Sequence, residues 1–256
     1  IAVENPLTER IKHGARGDPR AISFSRVLLA MARVVFLVFF GLTGCGILVW
    51  LGTWQVQRLS WKQNVLAEID SRISAEPIDL PVAPNPSADK YLPIEIAGTV
   101  SDDELHVLVS VKHVGPGYRV IAPFQTEDGR RILLDRGFVP TEDKNAARLT
   151  GPMTVTGNLH WPDEIDSYTP EPDIAGNTWF ARDVPRMATA LGTEPVLLIA
   201  RSATDPDITP LPVDTVGVPN DHLQYAITWF SLALIWAAMT AYFLWRTRAK
   251  PENRGQ

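Results

Sequence analysis

VVFLVFFGLTGCGILVWLGTW, running from Val34 to Trp54, holds 21 residues without a single charge. As a helix it rises about 30 Å, the thickness of a bilayer's hydrocarbon. A second uncharged run of equal length, YAITWFSLALIWAAMTAYFLW, covers Tyr225 to Trp245. Soluble helices rarely extend so far without a polar face, so both runs read as membrane spans. A secretory leader is the competing reading of the first. Its apolar run exceeds the ~7 to 15 residues of a leader core, and no small-x-small cleavage site follows before Gln55. The expectation is a retained anchor.

Charge beside the runs sets the expected orientation. Residues 1–33 hold Arg10, Lys12, Arg16, Arg20, Arg26 and Arg33 against Glu4, Glu9 and Asp18, a net +3. Residues 246–256 hold Arg246, Arg248, Lys250 and Arg254 against Glu252, again +3, so the whole-chain charge of −5 leaves −11 for the segment between. Basic flanks stay on the cytoplasmic or matrix side while the acidic middle is translocated. The expected organisation is a basic tail at 1–33, a transmembrane helix at 34–54 that continues to about 73, an exported β-rich domain at 55–221, a second transmembrane helix at 222–245 and a basic tail at 246–256. That describes a multi-pass protein of the bacterial cytoplasmic membrane, or of the mitochondrial inner membrane, with its central domain in the periplasm or intermembrane space. The lipid bilayer is its first partner, and the acidic middle argues against nucleic acid.

Between the runs, Gln55 to Ile73 has no proline or glycine and continues the helix, and a linker with Pro77, Pro81, Pro84, Pro86 and Pro93 follows. Strand patterns then dominate. Leu105, Val107, Val109 and Val111 alternate with His106, Ser110 and Lys112, the mark of a half-buried strand. Tyr118 to Phe124 and Ile132 to Leu134 read as strands joined through Asp128-Gly129, a hairpin signal. Another strand falls at Met153 to Leu159, and Val196 to Ala200 is the last. One helix is expected with Asp183 as its N-cap, Pro185 in its first turn and Gly192 as its stop. The fold class is membrane α+β: two antiparallel transmembrane helices flanking an exported, mainly antiparallel β domain with one helix.

Chemistry is sparse in that domain. No Gly-x-Ser-x-Gly, phosphate loop, dinucleotide fingerprint or zinc-protease helix occurs. The acidic clusters Asp102-Asp103-Glu104 and Asp163-Glu164 with Asp166 read as solvated turns. His13 falls in the first tail, His106 and His113 are out of phase for a shared metal on one strand, and His160 precedes the turn Trp161-Pro162. Cys45 is the single cysteine, so no disulfide forms within the chain, and between Gly44 and Gly46 it reads as a small packing residue. No catalytic set is expected.

Antiparallel spans joined by an exported segment bring the end of the first and the start of the second to one interface. There, Trp50, Trp54, Arg58 and Trp61 recur at helical spacing, with Lys62 beside them. An aromatic belt with snorkelling cations accounts for the tryptophans taken alone. Opposite, His222 lies one turn outside the apolar run, with Tyr225 following and Ala226 and Trp229 below it.

Together these motifs resemble the surfeit-locus protein one family of cytochrome c oxidase assembly factors. The matching residues are Gly52, Trp54, Gln55, Arg58, Trp61 and Lys62 at the first span and His222, Tyr225, Ala226, Thr228, Trp229 and Phe230 at the second. Gly117-Tyr118-Arg119, Pro123-Phe124 and Arg136-Gly137-Phe138-Val139-Pro140 also fit, with Phe138 where the family often has Trp. The resemblance covers about residues 34–245. It implies an assembly chaperone or haem carrier, not an enzyme, with haem a as cofactor and the oxidase catalytic subunit and other oxidase assembly factors as partners. His222 is implied as the ligand of the haem iron. Trp54, Trp61, Tyr225 and Trp229 would pack the macrocycle, and Arg58 and Lys62 would pair with its propionates. The alternative is a scaffold that binds no haem and stabilises an assembly intermediate.

Overall fold

The computed structural model describes residues 19–248. The tail charges at 1–18 and 249–256, and His13, lie outside them. Helix α1 runs unbroken from Pro19 to Ile73, and α3 covers His222–Arg248. Both are long and apolar enough to cross a membrane, and only 6% of each apolar window is buried within the protein. An apolar helix that exposes nearly all of its surface has lipid as its solvent.

Between them lie six strands: β1 (Pro93–Val100), β2 (Leu105–Val111), β3 (Gly115–Thr126), β4 (Arg131–Pro140), β5 (Gly151–Leu159) and β6 (Leu197–Ala200). Their order is β1-β5-β6-β4-β3-β2, and β1 also pairs with β3, which closes the sheet into a ring. β1 and β2 lie end to end along one edge of β3, opposite Phe124–Thr126 and Gly115–Ile121 respectively. Every pairing is antiparallel except that of β4 with β6. The barrel is therefore mixed.

That parallel pair is buried on both faces. Ile132, Leu134, Leu198 and Ala200 point into one core with Phe124, Val155 and Leu159. Leu133, Leu197 and Ile199, one residue out of phase, join a second core with Val107, Trp179 and Met187. Helix α2 (Val184–Leu191) covers that second face. Its ends are set by local chemistry: the Asp183 carboxylate accepts from Arg186 N at 3.1 Å, and Gly192 closes the helix at φ 63°.

Three differences from the sequence reading have physical causes. The proline-rich linker ends earlier than expected, because Pro93 begins β1. A first strand residue needs no ladder donor, so proline is tolerated there. His106, placed with the polar residues of β2, is buried, its Nε2 2.8 Å from Glu104 Oε1. Glu164, read as a solvated turn, instead grips the Arg182 guanidinium.

The Arg136-Gly137 dipeptide is a β-bulge. Val120 pairs with Gly137 and Ile121 with Asp135, which leaves Arg136 without a partner across the sheet. Gly137 has φ 123°, and a Cβ there would collide with the Thr209 carbonyl. Arg136, 1% exposed, donates to the carbonyls of Leu149 and Thr204 and faces Asp205 at 3.4 Å. In strand β3, Arg119 pairs with the wholly buried Asp135. These motif residues build the domain.

Candidate functional site at the helix pair

Contacts between α1 and α3 pair Gly41 with Thr240, Gly44 with Trp236, Gly52 with Phe230 and Gln55 with His222. Numbers rise on one helix as they fall on the other, so the two run antiparallel. On α3 the least exposed positions are His222, Ala226, Trp229, Ala233, Trp236, Thr240 and Leu244, a spacing of three and four residues that marks a packing seam. Glycine at the facing positions of α1 lets the backbones approach, because a Cβ at Gly52 would sit 2.7 Å from the Phe230 ring. Cys45 donates its thiol to the Ala233 carbonyl at 3.4 Å, and Trp236 its indole N–H to Gly41 O at 3.1 Å. Both contacts join the helices, in keeping with Cys45 as a packing residue.

At one end the seam turns polar. The His222 ring is half-buried, with Nδ1 2.8 Å from Gln55 Oε1. An amide oxygen only accepts, so Nδ1 is the donor of this contact, and a neutral ring with its proton there has the Nε2 lone pair free. A hydrogen bond of this kind orients a histidine that ligates a metal through its other nitrogen. Lys62 closes the same end by donating to the Pro219 carbonyl. Gln55, matched to a motif but given no role from sequence, is the residue that aims the imidazole. Its signal was present in the spacing: Gly52, Gln55, Leu59 and Lys62 recur at intervals of three and four and share the less exposed face of α1.

The predicted site residues divide between two faces. His222, Lys62 and Trp229 belong to the seam. Trp54, Arg58 and Trp61 lie on the outer flank of α1, where Trp54 is 44% and Trp61 56% exposed. Arg58 is not extended toward the histidine; its guanidinium stacks on the Trp61 ring at 4.8 Å. Tyr225 is exposed as well, on the flank of α3. Among the described residues no three His, Cys, Asp or Glu side chains converge as they would around a metal ion.

A family model described as the SURF1 family matches residues 43–234. The chain belongs to the SURF1 family. Relatives include Surfeit locus protein 1 of Rattus norvegicus, 31% identical over 82% of this chain and 74% of its own length. The human Surfeit locus protein 1 is 32% identical over 76% of this chain and 71% of its own. A SURF1-like protein of Rickettsia bellii is 33% identical over 73% and 82%. The SURF1-matched segment takes in the whole barrel and the seam from Cys45 to Ala233.

The barrel holds a second concavity, about 410 Å³, lined by Tyr91, Arg119, His160, Arg182, Leu211 and Asp214 among others. Burial, with Arg182 and Lys90 nearby, pushes the His160 imidazole down to about 4. It stays neutral and stacks on Tyr91 at 5.4 Å. The two arginines are already engaged by Asp135 and Glu164, so in SURF1 terms this concavity is walled by ion pairs that hold the fold.

Proposed function

We propose that this chain is an assembly factor for cytochrome c oxidase that binds haem a at His222 and presents it to the oxidase catalytic subunit. Membership of the SURF1 family and the sequence resemblance support the reading. The observation that supports it is the His222–Gln55 contact, which engages Nδ1 at 2.8 Å and turns Nε2 away from that partner, the arrangement of a histidine that ligates through its other nitrogen. When bound, haem a would supply an iron centre for the imidazole and two carboxylates for a cation.

Gln55 holds the imidazole at its Nδ1–H. Trp229 and Lys62 share the seam with His222 and would meet a flat cargo held there with an indole face and a cation for its carboxylates, whereas Trp54, Arg58, Trp61 and Tyr225 lie on the outer flanks and would not close on the same face of it. One protein ligand suits a carrier, which must release what it holds. Both termini are placed on the cytoplasmic or matrix side, with the domain exported, on the strength of the flanking charge. The role is non-enzymatic.

Purification of the wild-type chain and of His222→Ala and Gln55→Ala from cells that make haem a tests this. His222→Ala is expected to lose haem a at least tenfold, and Gln55→Ala to keep it with a shifted spectrum. Equal haem content and identical spectra in all three would remove His222 from the ligand role.

A scaffold that binds no haem is the second reading, favoured by the exposure of Trp54 and Trp61 on the flank of α1 away from the seam. It expects co-purification with the catalytic subunit that survives His222→Ala and fails in Trp54→Ala/Trp61→Ala.

A further inference from the structure

At the other end of the helix pair, Arg33 immediately precedes the first uncharged run and Arg246 immediately follows the second. Antiparallel packing brings them to the same depth, and both line a groove of about 360 Å³ whose floor includes Val34, Leu37 and Phe243. No carboxylate lines it. Neither guanidinium is paired with an acid among the described residues. The barrel's Arg119, Arg130, Arg136, Arg182 and Arg186 each face a carboxylate. Two cations converging over an apolar floor lack only an anion with a hydrocarbon tail.

We propose that this groove binds one anionic phospholipid, its phosphodiester held between the guanidiniums of Arg33 and Arg246 and one acyl chain laid along Leu37 and Phe243. A guanidinium presents a fork of N–H donors that matches two phosphate oxygens, and a pair of forks holds one phosphodiester in a fixed place. Basic concavities between transmembrane helices recognise anionic headgroups in this way. A zwitterionic lipid brings its own cation toward the two arginines and is disfavoured. A groove of the same size further along the pair, lined by Gly44, Leu48, Leu232 and Met239 among others, has no polar lining and accepts any acyl chain. It is the internal control. The Arg33–Arg246 groove lies outside the SURF1-matched residues 43–234 and rests on the membrane-spanning reading alone, not on the haem reading.

The test is native mass spectrometry of the full chain, exchanged in detergent with equal amounts of phosphatidylglycerol and phosphatidylcholine. The wild type is expected to retain one phosphatidylglycerol per chain, at least tenfold over phosphatidylcholine. Arg33→Gln/Arg246→Gln is expected to abolish that preference. Leu37→Trp fills the floor, leaves both charges and is expected to reduce retention by a similar factor, so the conclusion stands even if the double variant folds poorly. Equal retention of the two lipids by the wild type would overturn the proposal. So would undiminished retention by Leu37→Trp, the mark of charge pairing without a groove, and so would complete displacement by millimolar inorganic phosphate, which would make the site one for a free anion.

Discussion

Along the seam of the helix pair the closest approaches fall at Gly41, Gly44 and Gly52, whereas the barrel closes on Phe124, Ile132, Leu134 and Leu198, all wholly buried. The two regions use opposite means. In lipid, apolar side chains gain nothing by turning inward, so α1 and α3 expose theirs and join through small residues and a few hydrogen bonds. In water, apolar burial dominates, and the barrel can also fix charged groups such as Arg136 and Asp135 inside it because their partners are already in place.

The contrast is tested first where its effect is largest. Arg136→Ala removes the counter-charge of the buried Asp205, which keeps only the amides of Leu149 and Asp207, takes a donor from the carbonyls of Leu149 and Thr204, and should cost the barrel about 3–5 kcal/mol. The shift of the urea midpoint of tryptophan fluorescence, measured on the full chain in micelles, reads it. A loss below about 1 kcal/mol would show that these groups are rehydrated rather than stranded.

Acid is the second lever. His160 is held down at about 4 in the folded barrel and returns to about 6.5 when unfolded. Between those values the unfolded chain takes up the proton and the folded chain does not. Stability from this group is therefore complete above about pH 6.5 and declines as pH falls toward 4. With its residual exposure discounted, the loss should be about 2 kcal/mol. His160→Gln should flatten the wild-type difference across that window, and parallel pH profiles for the two proteins would refute the assignment.

Third, the seam predicts that position matters more than residue type. A Cβ at Gly44 would meet the Trp236 indole, while one at Gly46 has nothing within 4 Å. Gly44→Leu should lower the stability of the helix pair by about 1–2 kcal/mol and Gly46→Leu should leave it unchanged. Thermal midpoints in detergent decide, and equal midpoints would mean that the helices do not meet at this face. The smallest effect is expected at α2, where Asp183→Ala removes the cap on Arg186 N and should cost about 1 kcal/mol. Hydrogen exchange confined to the first turn would register it.

What could be read in advance follows the same division between local and distant causes. Apolar run length fixed the two long helices, because a bilayer imposes a length and forbids charge. The α2 boundaries were legible because Asp183 and Gly192 act within a few residues. The Asp128-Gly129 turn was legible for the same reason, with Gly129 at φ 89°. β1 was hidden, because Pro93 falls in with the proline-rich linker and the strand's partners lie about 30 and 60 residues further along the chain. His106 looked solvated because its hydrogen-bond partner, Glu104, sat in a cluster that reads as a turn. At the helix pair, the motif residues were visible but their division was not. A stripe at helical spacing shows which residues share a face of α1, and only the partner helix decides which face is the seam.

The ring closure has a consequence for how the domain behaves in company. β2 is the one strand outside the ring, and its outer side is taken by Trp179, whose N–H and C=O bond His106 O and Leu108 N at 2.8 Å. Two of the outward backbone groups of β2 are thereby occupied. An edge capped in this way is a poorer template for a strand of another chain.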